Sequence, residues 1–352
     1  MTAGAHALGV HRVLEPAGAM PQDAWRIDNT PIAGPNELLC DVEALNIDSA
    51  SFRQLRDVCQ SDARQIGERV AEIVRERGKQ HNPVTGSGGM FVGRVAAIGD
   101  DLRAKIDLCP GDRIASLVSL TLTPLQIDEI REVDVATGRI SVRGQAILFE
   151  SGLWARLPSD IDEGVALAVL DVAGAPAQVR RLSFPGATVV IIGADGKSGL
   201  LSCAQAKVRT GPQGRVIGIV PDGSSPGAEL LLREGLVDAL IVADARDALN
   251  ASNRVTADVP QLADLVVNCV NVAGTELASI LCARDGGTVY FFSMCTSFTA
   301  AALGAEGVAR DVTMIIGNGY TKGHAEIALQ TLRDRPALAR YFNETYATRI
   351  RA

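Results

Sequence analysis

The residues of this chain best placed for chemistry lie in VVIIGADGKSGLLSCAQAK (189–207). There an apolar run meets three glycines at GxxGxxG spacing, Gly193, Gly196 and Gly199, with Lys197 and Ser198 between the last two. Glycine permits a tight turn and a close approach of backbone to ligand, and a helix that starts there offers unpaired N–H groups to a pyrophosphate. A glycine triplet alone is also met in turns that hold nothing. A strand before it and a helix after it turn the pattern toward dinucleotide binding. In such a unit an acidic residue about 20 positions on takes the adenosine ribose. Asp222, just past RVIGIV (215–220), is the candidate, while Ser224 and Ser225 offer hydroxyls to a 2′-phosphate, so NAD and NADP both remain open. The segments 268–271, with Asn268 and Val270, and 293–296, with Ser293 and Met294, follow the next strands. Strand C-terminal ends border the cofactor crevice, which places both segments near the nicotinamide.

The elements that position these groups read clearly after residue 187. TVVIIG (188–193), RVIGIV (215–220), DALIVAD (238–244), DLVVNCV (264–270), GTVYFFS (287–293) and VTMIIGNG (312–319) are near-continuous apolar runs, as expected of strands buried on both faces. With helical stretches such as AELLLREG (228–235) between them, they predict an α/β fold with a Rossmann-type doubly wound parallel sheet. The first half reads differently. NELLCDVEALNI (36–47) is a strand. Residues 61–77 place Ile66, Val70, Ile73 and Val74 at helical spacing, with Ser61 as N-cap and Gly78 as stop. GRVAAIG (93–99) and RIASLVSL (113–120), separated by Pro110-Gly111-Asp112, suggest a small β-barrel. GVALAVLDVAGAPAQV (164–179) reads as one helix leading into the second domain.

Composition narrows the function. The 352 residues carry 34 basic and 41 acidic side chains, net −7, which argues against nucleic acid or an anionic membrane as partner. No apolar run reaches the roughly 18 residues of a membrane span, and the start lacks a basic segment followed by an apolar one. The seven cysteines are odd in number and form no CxxC pair, which fits a reducing, cytoplasmic setting.

The order of GPNELLCDVEALNIDSASF (34–52), TGSGGMFVGRVAAIGDDL (85–102), LCPGDRIASL (108–117) and the nucleotide domain resembles the medium-chain dehydrogenase/reductase superfamily, related to zinc alcohol dehydrogenases, along nearly the whole chain. The resemblance implies a GroES-like catalytic domain over 1–171 and 321–352, a Rossmann domain over 172–320, and a homodimer joined through the last strand. Zinc-using members place metal ligands where this chain has Asp48, Ser87-Gly88 and Asp171, and the four-cysteine structural zinc block is missing. Catalytic zinc wants three N, S or O ligands with one open position. Asp48, Asp171 and His81 would make an unusual set, so no metal is expected. HNPVTGSGGM (81–90), LDVAGAPAQ (170–178) and FFSMCTSFTAAALGAEG (291–307) are similar to the L-erythro-3,5-diaminohexanoate dehydrogenases of lysine fermentation. Those enzymes oxidatively deaminate a β-amino group with a nicotinamide cofactor, giving 5-amino-3-oxohexanoate and ammonia.

Such a site needs an anion for the substrate ammonium groups, a base, and a cation for the carboxylate. Asp48 and Asp171 offer an ammonium two charge-assisted partners, and like charges close together resist joint ionisation, which would let one act as base. The plainer roles are a turn cap for Asp48 and a buried hydrogen-bonded helix residue for Asp171. His81 titrates near neutrality by type and suits proton shuttling, against the ordinary role of a structural histidine. Glu68 and Glu72 lie on the charged helix as further bases or as solvated surface. Arg53, Arg56 and Lys79 are candidates for the carboxylate. Ser87, Asn46 and Asn82 are read as orienting substrate or water, or as turn residues. Two other functions compete: a zinc-free enoyl or quinone reductase, which needs little acid–base apparatus, and a non-enzymatic NADPH-binding protein.

Overall fold

In the first half residues 38–44 and 139–146 alternate buried and less buried side chains, as in a sheet covered on one face. A short ribbon of β1 (Val13–Glu15) and β2 (Arg26–Ile27) comes first. Then β3 (Glu37–Asn46), β4 (Met90–Ile98), β5 (Arg113–Ser116), β6 (Leu125–Asp134), β7 (Arg139–Phe149) and β8 (Trp154–Arg156) form one antiparallel sheet in the order β6-β7-β3-β4-β5-β8. Helices α1 (Ser49–Val58) and α2 (Ala63–Arg77) follow β3, and the single turn α3 (Asp100–Arg103) follows β4. The computed structural model describes residues 5–82, 88–293, 295–317 and 319–347. Its contacts divide the chain into two units, Met1–Leu157 and Pro158–Ala352.

Helix α2 shows how the sequence pattern becomes packing. Ile66, Val70, Ile73 and Val74 are buried, and Ile66 and Val70 join one core with Leu38, Leu45, Phe91 and Ile140. Its other face is solvated and laced with the ion pairs Arg64–Glu68 and Arg69–Glu72. The helix stops at Gly78, which takes φ +72°. It starts one residue later than the sequence suggests, because Ser61 has φ +62° while extended Asp62 accepts the Gln65 amide at 2.9 Å.

In the second unit the apolar runs are strands of one parallel sheet: β9 (Thr188–Ile192), β10 (Arg215–Val220), β11 (Ala239–Val242), β12 (Ala263–Asn268), β13 (Ala283–Phe291) and β14 (Val312–Ile316). Their order, β11-β10-β9-β12-β13-β14, winds outward in both directions from β9, so the chain reverses direction between β9 and β12. Ligands of such sheets bind outside the strand C-termini at that reversal. The helices are α4 (Glu163–Leu170), α5 (Gly174–Leu182), α6 (Lys197–Thr210), α7 (Pro226–Arg233), α8 (Ala248–Asp258), α9 (Glu276–Cys282), α10 (Phe298–Gly307), α11 (His324–Arg333) and α12 (Pro336–Tyr346). The single helix expected over 164–179 is two, α4 and α5. Pro176 fits only the first turn of a helix, so a new helix begins just ahead of it. The contacts gather 158–171 and 321–352 with the parallel sheet, since α11 packs on α4, α5 and α6, and α12 on α4. The resemblance assigns those stretches to the first domain. Among the described residues no helix is long and apolar enough to cross a membrane.

Candidate functional site

The glycine turn joins β9 to α6, and its three glycines serve different ends. Gly193 has φ +77°, and a Cβ there would lie 2.9 Å from Val270 Cγ2. At Gly199 a Cβ would lie 2.1 Å from the Gly193 carbonyl oxygen. The protein itself requires both. Gly196 differs: its φ of −79° suits any residue, and a Cβ would meet only the Gly193 oxygen at 3.7 Å. It caps α6, which has no side-chain cap. The space before the first N–H groups of a 14-residue helix is therefore open, and the turn fits a pyrophosphate. Ser198 is buried in the first turn of α6, and the Lys197 ammonium donates to Asp171 Oδ2.

A cleft of about 210 Å³ continues from this turn across the strand ends, lined among others by Gly193, Ile219, Pro221, Asp244, Arg246 and Val270. Asp222 is exposed beyond β10. Its Oδ1 accepts the Ser224 hydroxyl at 2.7 Å and the Ser224 amide at 2.8 Å, which hold its carboxyl below the usual range. Asp244 and Arg246 were not singled out from the sequence. The Arg246 guanidinium closes on Asp244 with bonds of 2.6 and 3.0 Å and, with the Arg246 amide, brings that carboxyl down to about 2. The signal that could have found them is their place at the end of the third apolar run, DALIVAD (238–244). Asn268 is buried and its amide is occupied within the protein: Nδ2 donates to Thr275 Oγ1 at 2.8 Å and Ser279 Oγ at 2.9 Å, and Oδ1 accepts the Val270 amide at 3.0 Å. Asn268 thus shapes the loop, and Val270 is what reaches the cleft. Ser293 follows β13, its Oγ accepting the Cys295 amide at 3.1 Å. Met294 lies outside the described residues.

In the first unit, β3 delivers Asn46 and then Asp48. Asp48 caps α1, Oδ1 accepting the Ser51 amide at 2.9 Å, while Oδ2 is buried without a partner. The cap anticipated as its plainer role is therefore present, and one carboxylate oxygen is left over. Asn82 and Gly89 lie against this point. Asn82 Nδ2 donates to the Ser51 carbonyl at 3.4 Å, and a Cβ at Gly89 would lie 2.1 Å from the Asn46 oxygen and 2.9 Å from the Asp48 nitrogen. Asn46, Asp48 and Asn82 are so gathered around the start of α1. His81 is half-buried, with Nδ1 buried and unpartnered. Burial, then the charges of Arg77 and Lys79, lower its pKa to about 4, so it is neutral at physiological pH. Ser87 lies outside the described residues. Other candidates fall elsewhere: Glu68 is exposed and paired with Arg64, and Arg53 and Arg56 are exposed on α1. Lys79 is fully buried, its Nζ donating to the carbonyls of Pro21 at 2.5 Å and Gln22 at 3.0 Å. Its charge anchors the N-terminal segment and does not await a substrate carboxylate.

In the second unit Asp171 ends α4 and is partly exposed, paired with Lys197 rather than buried in a helix as its plainer role has it. Among the described residues no three His, Cys, Asp or Glu side chains are placed to hold a metal ion.

Residues 11–158 match the family described as L-erythro-3,5-diaminohexanoate dehydrogenase N-terminal domain. The curated L-erythro-3,5-diaminohexanoate dehydrogenase of Acetoanaerobium sticklandii is 54% identical over 341 residues, 96% of this chain and 98% of that protein. Its namesake in Fusobacterium nucleatum subsp. nucleatum is 50% identical over 339 residues, with the same shares covered. Among solved structures, a mycobacterial protein complexed with NADPH (18% identity, TM-score 0.54, 91% of this chain and 84% of that one) shares the fold. So does CurK enoyl reductase (16% identity, TM-score 0.51, 90% and 79%). These likenesses bear out the pairing of a Rossmann sheet with a GroES-like domain.

Proposed function

The chain belongs to the L-erythro-3,5-diaminohexanoate dehydrogenase family, and from that membership we propose that it oxidatively deaminates L-erythro-3,5-diaminohexanoate to 5-amino-3-oxohexanoate and ammonia in the fermentation of lysine. The observation that carries this reading is identity above half along 96% of the chain. A nicotinamide dinucleotide supplies the two-electron acceptor.

The first N–H groups of α6 and the open space at Gly196 bind its pyrophosphate. Asp222, held ionised by Ser224, accepts the ribose hydroxyls, and this favours NAD over NADP. Arg246, a cation lining the cleft, is paired with Asp244. At the substrate end, the unpartnered Oδ2 of Asp48 accepts an ammonium N–H, and neutral His81 takes a proton at Nδ1. Asn46 and Asn82 orient the substrate beside them. In the second unit Asp171 holds the Lys197 ammonium of the glycine turn. The reaction proceeds without zinc. The enzyme is cytoplasmic and a homodimer, formed where β14, the edge of the parallel sheet, offers unpaired backbone to a second copy.

Incubation of the purified enzyme with NAD and L-erythro-3,5-diaminohexanoate tests the proposal. NADH and ammonia should form in equal amounts, should not form from simple alcohols, and should be unaffected by a chelator. Reduction of enones with no amine oxidation would overturn it in favour of the reductase reading.

A further inference from the structure

Pyrophosphate binding explains the glycines of the turn but not the acid within it. Asp195 stands between Ala194 and Gly196, one residue ahead of the helix end that receives an anion. A carboxylate there opposes a phosphate unless it does other work. Its contacts indicate that work. Asp195 Oδ2 accepts the Ser225 hydroxyl at 2.8 Å. Ser225 caps α7, and its oxygen accepts the Ala228 amide at 3.2 Å. The first turn of α7 presses so closely that a Cβ on Gly227 would lie 2.2 Å from the Asp195 carbonyl oxygen. The glycine turn and the turn after β10 are thereby fastened together, and two carboxylates, Asp195 and Asp222, border the place where this sheet order puts the adenosine ribose.

The hydroxyls in that turn are already committed. The Ser224 hydroxyl donates to Asp222 at 2.7 Å, and the Ser225 hydroxyl donates to Asp195. The two serines that the sequence suggests for a 2′-phosphate therefore present oxygens next to carboxylates, not free O–H donors. A ribose 2′-hydroxyl donates to a carboxylate, whereas a phosphate can only be repelled by one. We propose that Asp195 is a specificity-determining residue: held by Ser225 at the ribose end of the turn, its charge excludes 2′-phosphorylated dinucleotides. This rests on the reading of the turn as a dinucleotide site and not on the identity of the amine substrate.

The test is a binding measurement on the full chain with NADH and NADPH separately, by cofactor fluorescence or calorimetry, for wild type and Asp195→Asn. Asparagine keeps an oxygen for the Ser225 hydroxyl and removes only the charge. Wild type should bind NADH at least about tenfold more tightly than NADPH, a difference of about 1.4 kcal/mol. Asp195→Asn should tighten NADPH about tenfold while NADH affinity stays within about twofold and the melting temperature is unchanged. Equal wild-type affinities, or an unchanged ratio in Asp195→Asn, overturn the proposal. Absence of amine oxidation would leave these affinities standing and count only against the proposed reaction, whereas a wild type that binds neither dinucleotide overturns both.

Discussion

Gly196→Val separates what the fold requires from what a ligand requires. The glycine is extended, and a Cβ added to it meets nothing closer than 3.7 Å, so valine fits the protein. The cost to stability is that of a poorer helix cap, about 1 kcal/mol. The two methyls instead fill the space before α6. A pyrophosphate pushed from there loses at least two charge-assisted N–H bonds of about 1.5–3 kcal/mol each, together about 3–6 kcal/mol or roughly 10²- to 10⁴-fold in affinity. Gly199→Ala is the counterpart: its methyl would sit 2.1 Å from the Gly193 oxygen, so strand and helix must separate, costing at least about 1–3 kcal/mol of stability. Melting curves with and without NADH, beside direct titration of NADH, read both quantities. The reasoning is refuted if Gly196→Val binds NADH as wild type does, or if it unfolds as readily as Gly199→Ala.

Asp48→Asn and Asp171→Asn should each lower kcat/KM by at least about tenfold with NADH affinity unchanged; wild-type turnover in both would remove the carboxylates from the reaction. His81 carries a pH signature. Its folded pKa of about 4 lies below the unfolded 6.5, so the unfolded state binds more protons between these values, and its contribution to stability, full above 6.5, is lost as pH falls toward 4. His81→Gln should flatten the melting temperature across that window and depress kcat, and a wild-type kcat/KM whose acid limb falls near 6.5 would contradict the assignment. Glu37 is fully buried and accepts Arg12 at 2.6 and 2.7 Å, His11 at 2.9 Å and the Gly34 amide at 2.7 Å. Glu37→Gln strands the buried Arg12 charge and should cost about 3–5 kcal/mol by denaturant titration. Burial raises the Glu37 pKa, but Arg12, the Gly34 amide and His11 together bring it below 4.5, so this stability is present above 4.5 and disappears as pH falls through the folded value. A pH-independent loss would show that the charge is not what matters.

Much of the second unit was legible because its signals are local. A strand buried on both faces must be apolar throughout, so β9, β10 and β12 announce themselves within a few residues, while the edge strand β14 is apolar though only partly buried, and the glycine turn is read from three positions along one stretch of chain. The first unit was harder. The hairpin of β6 and β7, exposed on one side and bearing Asp128, Glu129, Arg131 and Arg143, shows only a weak alternation. Helix α1 is not read from the sequence, although a turn cap at Asp48 is among the roles the sequence offers.

The chain alone determined the doubly wound sheet, its dinucleotide turn and the amphipathic helix at 63–77, since each depends on residues a few positions apart. Only the tertiary structure decided which polar groups are free to act. It used up Lys79 on the Pro21 and Gln22 carbonyls, Asn268 on Thr275 and Ser279, and the Ser225 hydroxyl on Asp195, and it left Asp48 Oδ2 and His81 Nδ1 unpartnered. A side chain's chemistry is set by its type, but its availability is set by whichever donor or acceptor the fold brings within 3 Å, often from dozens of residues away.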